Sequence, residues 1–350
     1  MKNSAIKISD QEKMQLFGNL STMLAAGIPI LEAVISLLEE SKQNLEKILL
    51  TLKEDLEAGQ VVNQSLAKFP RSFDKVTLNL IKAAEEAGTL EVALKDIQES
   101  IQKEMEFGDK IKSAMMYPLI VFLLFIAVML VMLIFVMPRI AKVFSRLKAD
   151  LPLPTKIMIF ASDFLINYWY WVVAAFVLFI LIIAVIMRYK KQNVLSFFYG
   201  FPLISNLVRQ VDGARFSRNM FLLLNSGLPI VTALELSQEV MIKKEMRQLV
   251  DNARQMVISG KRFAEGLHSK KKLMSGMTIK LIEVGERSGT LNQSMKDIAE
   301  ALDYEVTKNL QKATAMLEPI MLIFVGLVVG GMMMSIIGPI YGLISGVQIR

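Results

Sequence analysis

Gly27-Ile28-Pro29-Ile30 recurs 200 residues later as Gly227-Leu228-Pro229-Ile230. The match extends upstream at the same offset, where Leu16, Asn19 and Leu20 align with Phe216, Asn219 and Met220. Downstream the offset becomes 201: Gly59 aligns with Gly260, and Leu66 with Leu267. Glu85-Glu86-Ala87-Gly88-Thr89-Leu90 aligns with Glu286-Arg287-Ser288-Gly289-Thr290-Leu291, Pro118 with Pro319, and Pro138 with Pro339. Self-similarity over this length implies two copies of one structural unit. The one-residue slip falls between Ala33 and Gly59 and is expected in a connection between helices, where insertions are tolerated.

Each copy has a polar half followed by an apolar one. The 350-residue chain is 53% apolar, with a mean hydropathy of +0.44, which excludes an ordinary soluble protein. Residues 117–138, 168–187 and 319–349 carry no charge. Each run is long enough to cross a hydrocarbon layer of about 30 Å as a helix. Tyr168, Trp169, Tyr170 and Trp171 open the second run, as an interfacial aromatic belt does. The polar start, residues 1–13, lacks the features of a signal peptide, so the first polar half is expected in the cytoplasm. Two crossings return the second half to the same side, and the third sends the C-terminus out. Lys and Arg counts do not settle this orientation, because the loop between the first two spans is itself basic.

The expected fold is all-α: two homologous cytoplasmic helical bundles of about six helices each, and three transmembrane helices. The boundaries are bundle 1–113, span 114–138, extracytoplasmic loop 139–167, span 168–187, bundle 188–316 and span 317–345. Apolar spacings of three and four recur through residues 16–26. Gly27 and Gly227 then serve as left-handed helix ends, with Pro29 and Pro229 in the next first turn. Gly59 and Gly260 mark a second helix end. Gly88 and Gly289 mark a third, each followed by a capping threonine, and Thr290 stands at capping-box spacing from Gln293. The helix from Leu90 is expected to enter the membrane with a kink at Pro118, and the segment Leu291–Glu318 to repeat this up to a kink at Pro319. Pro138 and Pro339 are expected to kink the far ends. Thr155 is placed as the cap of a short amphipathic helix at 156–165.

Catalytic machinery is not expected. The chain holds no phosphate-loop, zinc-protease or serine-hydrolase motif, one histidine (His268) and no cysteine. No enzymatic activity, cofactor or metal follows. The spans lack ionisable residues, which argues against a small-solute transporter or channel, the main alternative. A membrane-bound enzyme would need a constellation that is not there.

Two paired features stand out. Glu85 and Glu286 precede the capping glycines by three residues, where a helix dipole disfavours a carboxylate. Either each has a partner (an arginine, a cluster of backbone amides or a cation) or both point to water. In the third span Gly326, Gly330, Gly338 and Gly342 follow at intervals of four or eight, a pattern that lets helices approach closely, within one chain or between subunits. Charge is uneven: residues 1–113 hold 14 Lys+Arg against 18 Asp+Glu, net −4, whereas 188–316 hold 20 against 12, net +8. Different partners, contact between the copies across subunits, or unconstrained solvated surfaces all account for that.

Taken together, the duplicated Gly-Ile/Leu-Pro-Ile turn, the duplicated Gly/Ala-Glu-x-x-Gly-Thr-Leu segment, Tyr117-Pro118, Met137-Pro138 and Leu153-Pro154-Thr155 resemble the type II secretion F protein and type IV pilus inner-membrane platform family. Ala84 replaces the glycine that Gly285 retains, and the extra N-terminal segment of the larger members is lacking. The resemblance implies a multi-pass protein of the bacterial cytoplasmic membrane. It also implies partners: a hexameric assembly ATPase, pilin or pseudopilin subunits, other inner-membrane assembly proteins and further copies of itself, most simply one, with no nucleic acid.

Overall fold

A computed structural model describes residues 5–147, 153–171, 173–174, 177–178, 181–182, 202–270 and 273–347. Those residues form helices and connections and contain no strand. Half of the run at 168–187 lies outside them.

The first copy comprises α1 (Asp10–Ala25), α2 (Ile30–Glu40), α3 (Gln43–Glu57), α4 (Val62–Leu66), α5 (Lys75–Ala87) and α6 (Leu90–Val131). A π-helical turn (Met132–Val136) leads into α7 (Met137–Leu147), and α8 (Leu153–Asn167) follows. The second copy repeats the first six as α9 (Pro202–Asn225), α10 (Ile230–Glu239), α11 (Lys244–Ile258), α12 (Phe263–Leu267), α13 (Gly276–Ser288) and α14 (Leu291–Val347). A short 3-10 turn at His268–Lys270 trails α12. The register slip sits where α2 meets α3: two residues connect that pair, and four connect α10 to α11.

Glycine fixes the corners. Gly27 and Gly227 have φ of 81° and 80°, Gly88 and Gly289 of 71° and 73°, a region that strains any residue with a Cβ. The residue after each glycine donates its N–H back across the helix end. Ile28 bonds Met23 O at 3.0 Å and Leu228 bonds Leu223 O at 3.1 Å. Pro29 and Pro229 stand one step earlier than expected. Their ψ of 144° and 142° is extended, so they are N-caps outside the first turn.

The chain divides into two compact units. One joins both polar halves, Met1–Lys110 and Pro202–Asn309. Its core contains equivalent residues from the two copies: Ile48 and Leu249, Leu66 and Leu267, Ile81 and Ile282, Leu94 and Met295, all buried. The large rings have moved. Copy one buries Phe17 against Phe73, with centroids 5.7 Å apart, whereas copy two has Ser217 at that position and packs Phe216 on Phe263 at 6.2 Å. A second exchange pairs Leu52 and Ser65 in copy one with Ala253 and Gly266 in copy two. A Cβ on Gly266 would lie 2.4 Å from Ala253 Cα, so the backbones of α11 and α12 touch there.

The other unit contains Ile111–Phe201 and Leu310–Arg350. Helices α6 and α14 carry the two apolar runs that, among the described residues, are long enough to cross a membrane. Pro118 and Pro319 both sit inside these helices. Helix α14 continues through Pro319 to Val347. A proline removes a single N–H, leaving the carbonyl four residues back (Ala114 and Ala315) without its usual partner. A long helix tolerates that loss. Pro138 follows the π-helical turn, whose wider register already departs from the i to i−4 ladder. Pro339 lies within α14.

Thr155 is not a helix cap. It lies inside α8 and donates its hydroxyl to Ser335 O at 2.7 Å, while Ser162 donates to Leu133 O at 2.5 Å from the π turn. Hydroxyls here tie helices together through backbone carbonyls. The expected box at Thr290 is also absent: Gln293 donates to Asp297, and the Thr290 hydroxyl pairs with Ser288. A complete capping box does form at Ser9 and Glu12. Gly326 and Gly330 have no neighbouring atom within 4 Å of a would-be Cβ, so among the described residues they pack on nothing. Side-chain surroundings at Gly338 and Gly342 lie outside the description.

Candidate functional site

The Glu85 side chain folds away from its own helix end and spans the entry to α4. Its two oxygens accept from the backbone N–H groups of Val62 at 2.5 Å and Asn63 at 2.9 Å. Glu286 repeats this, accepting from Phe263 at 2.6 Å and Ala264 at 3.0 Å. In each copy two free amides at a helix N-terminus meet a full negative charge, the arrangement a helix dipole favours. The carboxylate that looked misplaced on α5 or α13 thus belongs to the preceding short helix. Gly88 and Gly289 end the donor helices one turn further on, and Thr89 and Thr290 begin the long helices α6 and α14, their N–H groups bonding Ala84 O and Gly285 O at 2.8 and 2.9 Å. The short helix, the capped helix and the head of the membrane-directed helix are thereby held in one fixed corner per copy.

Position 84/285 shows how tightly that corner is packed. A Cβ on Gly285 would fall 2.2 Å from Ser294 Oγ and 2.7 Å from Ser294 Cβ. Copy one holds Ala84 and Ala93 at the corresponding pair, both buried. Volume has been exchanged across the contact: Gly faces Ser in one copy, Ala faces Ala in the other. Gly285→Ala is expected to destabilise the unit by about 1–3 kcal/mol, the usual cost of overpacking. Adding Ser294→Ala should recover most of it, as read by thermal unfolding in detergent.

A third carboxylate does the same work at a place the sequence did not flag. Asp212, fully buried on α9, accepts from the N–H groups of Ile242 and Lys243, both at 2.7 Å, at the start of α11. Its copy-one counterpart is Glu12, which instead bonds the Ser9 N–H at 2.6 Å. The available signal was a lone Asp among Val208, Val211 and Ala214 on one helix face. Burial pushes the Asp212 carboxyl above the usual aspartate range, against the opposing pull of the two amides, Arg215 and Lys243. A raised folded-state value means that the group adds most stability below the ordinary aspartate range and loses it as pH rises through the raised value. Asp212→Asn should therefore flatten the pH dependence of unfolding above about pH 4, measured as a smaller difference in Tm between about pH 4.5 and 7 than the parent shows.

The two copies meet inside the first unit. Helix α5 packs on α9 and α10. Lys75 pairs with Glu239 at 2.6 Å, and Arg215 pairs with Glu104 of α6. Copy one, the acidic half, supplies Glu104, and copy two, the basic half, supplies Arg215. In the Lys75–Glu239 pair the signs are reversed, so these contacts within one chain do not account for the charge asymmetry. Among the described residues no group of three His, Cys, Asp or Glu side chains could hold a metal ion.

Comparison with known proteins places this architecture. A family model described as type II secretion system (T2SS), protein F, matches residues 16–138 and again 216–339, so the chain belongs to that family of secretion and pilus-assembly membrane proteins. It is 29% identical to the type IV pilus assembly protein PilC of Myxococcus xanthus, over 94% of this chain and 79% of that one. It is 30% identical to the type II secretion system protein F of Pseudomonas aeruginosa, over 93% and 80%. For the PilC of Thermus thermophilus the identity is 29%, over 95% and 82%. The two matched blocks begin and end at equivalent positions of the repeat.

Proposed function

We propose that this chain is the inner-membrane platform of a type IV pilus or type II secretion machine, coupling a cytoplasmic assembly ATPase to the insertion of pilin or pseudopilin subunits into a fibre. The observation that carries the reading is the pairing of two duplicated corners with two long helices. Each corner is locked by a glutamate clamp, and each leads without a break into a membrane-length helix. A push on a cytoplasmic corner is thereby passed along a continuous helix. The chain has no phosphate loop, so the work must come from a partner.

Topology follows by parity. The two copies pack together in one unit and so lie on one side of the membrane. The chain between them must cross an even number of times, which α6 and the uncharged run at 168–187 provide. The run at 319–349 makes a third crossing and leaves the C-terminus outside. Three spans, both bundles in the cytoplasm and a multi-pass location in the bacterial inner membrane are all part of this proposal, as is assembly into a homo-oligomer.

The test is co-purification. The full chain, solubilised from the membrane, is expected to retain an assembly ATPase of its own organism and to hydrolyse no ATP alone. Failure to bind that ATPase, together with ATP hydrolysis by the purified chain, would point to a different role.

A further inference from the structure

The contact between the copies uses one face of each, and each copy has both faces. Copy one offers α5, where Val76 and Leu80 are 5% and 3% exposed beneath copy two. Copy two offers α9 and α10, where Leu222 and Leu236 are 5% and 8% exposed. The equivalent faces are uncovered. On α13, Met277 and Leu281 replace Val76 and Leu80 and are 67% and 36% exposed, and Val284, one turn on, is 61% exposed. These three lie at i, i+4 and i+7, a single exposed apolar stripe beside the buried face that Ile279 and Ile282 form. On copy one the counterparts of Leu222 and Leu236 are Thr22 and Ser36, both exposed.

We infer that the α13 stripe of one chain docks on the α1–α2 face of a second copy of the same chain, reproducing between chains the contact that α5 makes with α9 and α10 within one. Charge favours that occupant over another α13. Lys280 is exposed on α13, where Arg287 is already paired with Glu283 of the same helix, and Glu39 and Glu40 are exposed at the end of α2. Stripe against stripe would bring Lys280, beside the central Leu281, toward its own copy, whereas the α1–α2 face offers it Glu39 and Glu40. Because every chain carries both faces, the contact is head-to-tail: one chain gives its stripe and the next its α1–α2 face. Thr22 and Ser36, where copy two has leucines, make this contact less apolar than the internal one, so it exchanges while the internal one stays closed. This contact between chains does not depend on the ATPase reading.

The chain has no cysteine, so engineered thiols report cleanly. Leu281→Cys and Thr22→Cys are made in separate full-length chains, co-expressed and treated in membranes with a short bis-maleimide. A covalent heterodimer carrying one chain of each kind is expected, with neither variant linking to itself when expressed alone. A second arm replaces Leu281 and Val284 with lysine. The solubilised protein should shift to a smaller oligomer with an unchanged Tm, because neither residue supports the fold of its own chain. Linking of Leu281→Cys to itself would show stripe against stripe and overturn the inference. So would a thiol at 281 that stays fully reactive in the oligomer, or one protected only when the ATPase is present.

Discussion

Replacing Glu286 with alanine is expected to cost about 2–4 kcal/mol, because two backbone donors at the head of α12 lose their acceptor together and each orphaned donor costs about 1–3 kcal/mol when buried. Glu85→Ala should cost a similar amount at α4. Glutamine retains one acceptor oxygen, so Glu→Gln should fall between parent and alanine. Unfolding of the solubilised chain in denaturant measures all four variants. A loss confined to one copy would mean that the two corners differ in burial more than their hydrogen bonds do. Unchanged stability in both alanine variants would mean that water satisfies these amides and that the clamp has no structural role. The clamp also bears on function: a variant that folds yet loses fibre assembly would show that the corner, and not merely the bundle, carries force.

The second large effect is expected at Gly266. Serine occupies the matching place in copy one, at Ser65, without strain, because Leu52 spaces the helices there. In copy two Ala253 has drawn α11 onto α12, and any Cβ at position 266 collides with backbone atoms that cannot rotate away. Gly266→Val should destabilise the unit by about 3 kcal/mol, at the upper end of overpacking costs. Ser65→Gly should cost no more than about 1 kcal/mol, the entropic penalty of a helical glycine. Because the two positions are equivalent within one chain, the contrast between them controls for detergent and unfolding method. Equal effects at both sites would show that the close approach of α11 and α12 relaxes in solution.

These two cases also show which features are readable in a sequence. Helix ends are legible because Gly27, Gly88 and their copies need a backbone region that other residues avoid, and a repeated glycine repeats a constraint. Glu85 and Glu286 are legible as an anomaly, since a carboxylate at a helix C-terminus opposes the dipole in both copies. Their partners are not, because the amides they bind lie 22 and 23 residues upstream and a backbone N–H leaves no mark in a sequence. Asp212 escapes for the same reason. Helix continuity through Pro319 runs against the reading of proline as a breaker, whereas one lost hydrogen bond is small against the length of α14. The exchange of Phe17 for Phe216 and Phe263 needs the packed core to be visible. Phe216 for Leu16 and Phe263 for Val62 look like conservative apolar substitutions and Ser217 for Phe17 like a simple loss, and only the ring contacts show that one filled volume was vacated and another occupied.

The central claim is that this chain is the membrane platform on which a fibre is assembled. Its most direct test is deletion of the gene in the organism that encodes it, with electron microscopy of surface fibres and immunoblotting of pilin or pseudopilin in the membrane fraction. The platform account predicts that fibres disappear while processed subunits accumulate in the inner membrane, and that the intact chain supplied in trans restores assembly. Fibres and secretion at parental levels in the deletion strain would contradict it.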